Sequence, residues 1–169
     1  MPLPKLDRGQ PWGENPDMPK LTLFDFNVAP EDPRWETYSP FVMKVSRALR
    51  LAALPFEWER IAPQAIKQVN PVGQLPALRI DDTLIADSTD ILGHIDALTD
   101  GKLTAGLAEP VRAEAWLWED YADSVLYGHA LCTRWALDDI WNRFRERVFA
   151  PLPAVLRGVV SNALRKKAL

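Results

Sequence analysis

The apolar residues of the chain change period several times, and each change marks a new element. LTLFDFN sets Leu21, Leu23, Phe24 and Phe26 among polar partners, the pattern of a strand buried on at least one face. A stretch rich in turn formers follows from Val28 to Tyr38, and then the spacing becomes three and four. Phe41, Val45, Ala48, Leu49 and Ala52 share one face of an amphipathic helix that Pro55 ends. FEWERI, residues 56–61, alternates as a second strand, and residues 63–70 read as a short irregular helix closed by Asn70-Pro71. Two short apolar runs, Pro76 to Ile80 and Thr83 to Ala86, are joined by Asp81-Asp82, which is hairpin chemistry. Ser88 to Leu98 is a helix with Asp87 or Ser88 at its cap and Ile91, Leu92, Ile95 and Leu98 on its buried side.

The order βαβ, short α, ββα implies an α/β domain over residues 21–98. A parallel crossover and a closing hairpin combine into a mixed four-stranded sheet covered by helices. Residues 1–20 carry five prolines and no apolar period, so they are expected to form a flexible leader. Residues 99–109 read as a linker, and residues 110–169 as helical. There Val111, Ala115, Trp118, Ala122, Val125, His129 and Cys132 recur at alternating four and three, which predicts one long buried seam. Asp138 or Asp139 caps a further helix through about Phe149, and AVLRGVVSNALRKKAL forms a last one.

Composition narrows the class without naming a function. The chain has 169 residues, 47% hydrophobic and 25% charged, within the range of ordinary soluble domains. No stretch approaches the roughly 20 apolar residues of a membrane span, and the N-terminus lacks a signal-peptide core, so a cytoplasmic location is expected. One cysteine and two histidines exclude an internal disulfide and an ordinary structural zinc site. A net charge of −3 gives no reason to expect nucleic acid or an acidic membrane as the main partner. The charge is uneven, however: from Ile140 to Leu169 there are seven basic residues and one acid, Glu146. That run reads as a solvated basic face, with an anionic partner as the alternative.

Ser39-Pro40 opens the first helix. Proline suits the first helical turn, where its missing N–H costs nothing, and the preceding residue is held extended over free amides that favour negative charge. Ser39 therefore serves either as a cap or as a group that stabilises a bound thiolate by donating a hydrogen bond.

YSPFVMKVSRALRLAALPFEWE and NPVGQLPALRIDDTLIADST together resemble the N-terminal domain of glutathione transferases, in the serine version of the Ser/Cys-Pro-Phe motif of tau-like and omega-like classes. The resemblance spans about Leu21 to Leu98 and implies a thioredoxin-like fold. It continues more weakly into WLWEDYADSVLYGHALCTRW, which is similar to the helical part of bacterial metaxin-like and failed-axon-like members. By this resemblance Pro76 is a cis proline, and the backbone of Leu75 pairs with the cysteinyl part of glutathione like an added strand. Ser88 holds the γ-glutamyl carboxylate and Asp87, where the family commonly has Glu, its ammonium. Lys67 or Gln68 approaches the glycine carboxylate. Ser39 becomes the thiolate stabiliser, with Tyr38 as rival, and Trp35 and Trp116 line a pocket for the electrophile.

The resemblance thus implies a glutathione transferase that conjugates glutathione to a small hydrophobic electrophile in detoxification, works as a homodimer and uses glutathione as co-substrate without a metal. The family's helical domain is longer, so the second domain is expected to be truncated; a non-catalytic transferase-fold binding module is the alternative. Glu119 and Asp123, one helical turn apart, read as a solvated or interdomain face, His129 as a packed core residue and Cys132 as a small hydrophobe.

Overall fold

The computed structural model describes residues 18–30, 35–150 and 152–169, so most of the expected leader lies outside the described residues. Strand β1 (Leu21–Phe26) is followed by helix α1 (Pro40–Leu51), strand β2 (Glu57–Ile61), a 3₁₀ turn (Pro63–Ala65) that runs into the short helix α2 (Ile66–Val69), strands β3 (Ala77–Ile80) and β4 (Thr83–Ala86), and helix α3 (Ser88–Leu98). Helices α4 (Glu109–Tyr121), α5 (Tyr127–Ala136), α6 (Asp138–Val148) and α7 (Ala154–Ala168) complete the order, with a π turn (Ala122–Leu126) between α4 and α5. The chain divides into two compact units. One runs to Asn27 and resumes from Phe41 to Leu103; the other holds Val28–Pro40 and Thr104–Leu169.

The first unit is a thioredoxin-like sheet in the order β2-β1-β3-β4. Strand β1 pairs parallel with β2 and antiparallel with β3, and β3 pairs antiparallel with β4. Leu23, Leu78 and Ala77 on the sheet, Val42, Val45 and Leu49 on α1, and Ile91 and Ile95 on α3 are fully buried and form one core. The periodicity of α1 is confirmed with one adjustment: Val42 and Ser46 are buried, while Phe41 is half-buried. On α3, Ile91 and Ile95 are buried but Leu98 is exposed, because it falls in the last turn.

One polar group sits inside this sheet. The Asp25 side chain is fully buried; its carboxylate accepts hydrogen bonds from Trp58 Nε1 at 3.2 Å and from the Phe26 amide at 2.7 Å, with Arg60 Nε at 3.9 Å. Asp25 and Arg60 are register partners, so the sheet itself brings the opposite charge beside the buried carboxylate.

In the helical unit the core is aromatic. Trp141 is buried, stacks on Trp135 at 5.2 Å and approaches Phe149 at 6.2 Å, while Trp135 meets Phe144 edge-on at 5.5 Å. Arg165 closes this cluster from α7: its guanidinium lies 5.3 Å from the Trp141 ring centroid and donates to the carbonyls of Trp135 and Ala136 at 2.6 and 2.9 Å. It also pairs with Asp138 at 2.7 Å.

Two expectations for this unit are overturned. The seam of Val111, Ala115, Trp118, Val125, His129 and Cys132 is exposed, Trp118 at 63%; only Ala122 is half-buried. A hydrophobic period identifies residues that share a face, but it does not supply an element to cover that face. Glu119 and Asp123, expected on a solvated or interdomain face, are half-buried. The N-cap of α6 is Leu137; Asp138 and Asp139 occupy the first turn, where their charge still complements the helix dipole.

Truncating Leu78 to alanine is expected to lower unfolding stability by about 2–5 kcal/mol, because it empties a fully packed position. Leu51→Ala, at a position 72% exposed, is expected to change it by less than about 0.5 kcal/mol. Urea unfolding followed by circular dichroism checks both.

Candidate functional site at one end of the sheet

The register of the β3–β4 hairpin determines which residues meet. Ile80 pairs with Thr83 across the Asp81-Asp82 turn, and Ala77 pairs with Ala86 at the other end. The residue before Ala77 is Pro76, and the residue after Ala86 is Asp87, so the approach to β3 and the start of α3 lie side by side. Strand β1 runs antiparallel to β3 with Phe24 opposite Ala77, so β1 ends at the same edge of the sheet. The β1–α1–β2 crossover carries the chain back from that edge, which puts the beginning of α1 there as well.

The segment entering β3 is built by Asn70. This buried side chain donates from Nδ2 to the Gln74 carbonyl at 2.9 Å and accepts at Oδ1 from the Val72 amide at 3.0 Å, while its own carbonyl accepts from the Gly73 amide at 2.8 Å. Gly73 adopts φ +80°, a left-handed conformation that glycine adopts without a Cβ penalty. The turn delivers Leu75 and Pro76, both buried and joined by a cis peptide bond. Lys67 and Gln68 are exposed on α2; the Lys67 stem lies over the turn, with Cε 3.6 Å from where a Cβ on Gly73 would sit.

The start of α3 is capped by Asp87. Its Oδ1 accepts from the Thr89 amide at 2.8 Å and its carbonyl from the Ile91 amide at 3.0 Å. Asp87 is exposed and has φ 79°, whereas Ser88 beside it is buried. Of the two candidates for the cap, Asp87 therefore takes the role and Ser88 is the first helical residue.

Ser39 directly precedes the first residue of α1 and belongs to the segment that groups with the helical unit. It is buried, and its amide donates to Thr37 Oγ1 at 3.0 Å. Tyr38 is fixed by the helical unit: its ring meets Phe144 edge-on at 6.4 Å, and its carbonyl accepts from Arg134 at 3.4 Å. Arg134 also stacks over Phe144 at 5.1 Å, and burial pushes its guanidinium pKa down, with Tyr127 acting in the opposite sense. Trp35 is exposed at 61%; Trp116 is exposed too, on a shallow recess of about 360 Å³ shared with Glu109, Arg112 and Ala113. Among the described residues no ring contact joins Trp35 to Trp116.

The structure thus gathers Leu75, Pro76, Asp87 and Ser88 at one edge, places Lys67 two residues from that group through Gly73, and leaves Trp35 and Trp116 unjoined. Two residues hold these segments without being ligand candidates in the sequence. Asn70 was readable as an Asx turn before proline; Arg134, far along the chain from Tyr38, gave no local signal. Among the described residues no cluster of His, Cys, Asp or Glu is arranged to hold a metal ion.

A four-stranded mixed sheet with a proline-led third strand and a capped helix after the hairpin defines a thioredoxin-like domain. Residues 37–103, fewer than half of the chain, match the family model described as glutathione S-transferase, N-terminal domain. Solved structures agree on the fold. A glutathione transferase homolog from Sulfitobacter with bound glutathione aligns at 18% identity and TM-score 0.51, over 88% of this chain and 64% of that one. Glutathione transferase Omega 2C from Trametes versicolor aligns at 18% identity and TM-score 0.53, over 80% and 64%. The theta class glutathione S-transferase from Xanthomonas axonopodis pv. citri with glutathione bound aligns at 19% and 0.51, over 66% and 52%. The chain therefore spans between about half and two thirds of the length of these proteins. No curated protein matches the sequence.

Replacing Asp87 by alanine is expected to cost about 1 kcal/mol of stability, since the Thr89 amide loses its partner. Asp87→Asn keeps the acceptor and tolerates positive φ, so it should stay within a few tenths of a kcal/mol of wild type in the same urea titration.

Proposed function

We propose that the chain binds glutathione at this edge of the sheet and holds its thiol as a thiolate for addition to a small hydrophobic electrophile. The observation that carries the reading is the Ala77–Ala86 pairing, which sets the Leu75–Pro76 backbone beside the Asp87–Ser88 helix start. A tripeptide has matching groups. Its backbone pairs with Leu75 as an added strand, its γ-glutamyl carboxylate meets the Ser88 hydroxyl and the free amides of α3, and its ammonium meets the Asp87 carboxylate. Asp87 commits Oδ1 to the cap, which leaves Oδ2 for the ligand. Lys67, or Gln68 beside it, reaches the glycine carboxylate.

Ser39 is the proposed thiolate stabiliser. It stands before Pro40 at the opening of α1, where the helix dipole and a donated hydroxyl hydrogen bond lower the thiol pKa of a bound ligand. Ser39 need not lose its own proton, since an unassisted serine is a poor nucleophile near neutral pH. The packing of Tyr38 on Phe144 and Arg134 favours Ser39 over its neighbour in this role. Conjugation of electrophiles in detoxification, assembly as a homodimer and a cytoplasmic location belong to the same proposal, and the match of residues 37–103 to the transferase N-terminal domain is what supports them. The exposure of Trp35 and Trp116 favours the second reading, a transferase-fold module that binds without catalysing.

Ultraviolet difference titration of bound glutathione separates the two. In the wild type the thiol should ionise well below the pH at which free glutathione does, and in Ser39→Ala it should return toward the free value while binding persists. Binding without any difference between the two proteins would leave only the module, and absence of binding would remove both.

A further inference from the structure

Helix α5 carries near its end a guanidinium that reaches off its own helix. Arg134 lies in the last turn, where a cation commonly meets the free carbonyls of the helix that bears it. Its Nη2 instead donates to the carbonyl of Tyr38 at 3.4 Å, 96 residues away in sequence. That carbonyl belongs to the peptide joining Tyr38 to Ser39, so the charge is held one peptide unit from the residue before α1. Both groups lie in the same compact unit, which holds Val28–Pro40 together with Thr104–Leu169.

Three contacts fix where this charge sits. The guanidinium lies 5.1 Å from the Phe144 ring centroid, Tyr38 meets the same ring edge-on at 6.4 Å, and the Tyr38 carbonyl accepts the hydrogen bond. The charge is also uncompensated: among the described residues Arg134 forms no ion pair. Tyr127, on its own helix, acts on it electrostatically, while burial pushes its pKa down. An arginine keeps its proton even so, because its ordinary value lies far above neutrality. Half-burial therefore leaves a positive charge in a medium that screens it less than bulk water does.

We propose that Arg134 supplies a fixed positive field at Ser39 that favours an anionic sulfur there, in addition to the serine hydroxyl and the α1 dipole. The inference rests on the reading of Ser39 as thiolate stabiliser. Arg134 is a positioning charge in this role and leaves the hydrogen bond to the serine. A single charge about 9 Å from a sulfur, at an effective dielectric constant between about 20 and 80, lowers the thiol pKa by roughly 0.3 to 1.4 pH units. Part of the depression should therefore survive in Ser39→Ala.

Ultraviolet difference titration of bound reduced glutathione tests it. Arg134→Gln should raise the pKa of the bound thiol by roughly half a pH unit to one, and Arg134→Lys, which keeps the charge, should recover at least about half of that rise. Adding Arg134→Gln to Ser39→Ala should raise it again by a similar amount, since a field does not need the hydroxyl. Binding of S-methylglutathione, which has no thiol to ionise, should be the same in every variant. If no glutathione binds, or the wild-type thiol ionises as free glutathione does, the thiolate reading of Ser39 falls and the role of Arg134 falls with it. If the wild-type thiol is lowered and Ser39→Ala raises it while Arg134→Gln leaves it in place, that reading stands and the role of Arg134 alone is overturned. It is equally overturned if lysine restores nothing, if Arg134→Gln has no effect in the Ser39→Ala background, or if S-methylglutathione binding drops when the charge is removed. Each of these results would make Arg134 an anchor for the Tyr38 segment only. Should circular dichroism show that Arg134→Gln does not fold, Arg134→Met, which keeps an apolar stem over Phe144, takes its place with the same expected result.

Discussion

The pairing of Ala77 with Ala86 is the constraint on which the candidate site depends. A side chain on a strand changes face with every residue, so a slip of one position would turn Leu78 and Ile85 out of the core and move Pro76 away from Asp87 together. The register is held at both ends. At the turn, the Asp81 amide donates to the Lys20 carbonyl at 2.9 Å and Asp81 Oδ1 accepts from the Lys20 amide at 2.8 Å, tying the hairpin to the start of β1. At the far end, burial of Leu75 and Ala77 and the Asn70 turn leave little freedom in how the chain enters β3. Packing of the hydrophobic core therefore fixes the geometry of the polar edge.

The same economy runs through the helix starts. At α3 the residue that caps the helix, Asp87, is also the residue proposed to meet an ammonium group, and the buried Ser88 beside it brings a hydroxyl to the free amides. Structural and ligand roles overlap because both draw on unsatisfied donors that every helix start possesses. Ser39 directly precedes the first residue of α1. The helical unit contributes order of a different kind: an aromatic cluster around Trp141, closed by the Arg165 guanidinium, and a second guanidinium, Arg134, on the Tyr38 carbonyl.

Much of this was legible along the chain. The shift from alternation in LTLFDFN to spacings of three and four after Pro40 located β1 and α1, and Asp81-Asp82 located the hairpin, because local burial patterns and turn chemistry are written in consecutive residues. The cis Leu75–Pro76 bond had no periodic signal and came from resemblance to a family. The row from Val111 to Cys132 misled, since its spacing is that of a buried seam while its residues are exposed. Arg134 and Arg165 were invisible for a simpler reason: each acts on a carbonyl far away in sequence, and nothing local records that meeting.

The account turns on whether the edge formed by Leu75, Pro76, Asp87 and Ser88 receives glutathione. Titrating the isotopically labelled full chain with reduced glutathione and following backbone amides by heteronuclear nuclear magnetic resonance asks this directly. The account predicts saturable shifts that are largest at the amides of Leu75, Asp87, Ser88 and Thr89, with the core amides of Leu23 and Ile95 unmoved. No shifts at saturating glutathione, or shifts confined to α4 through α7, would contradict it.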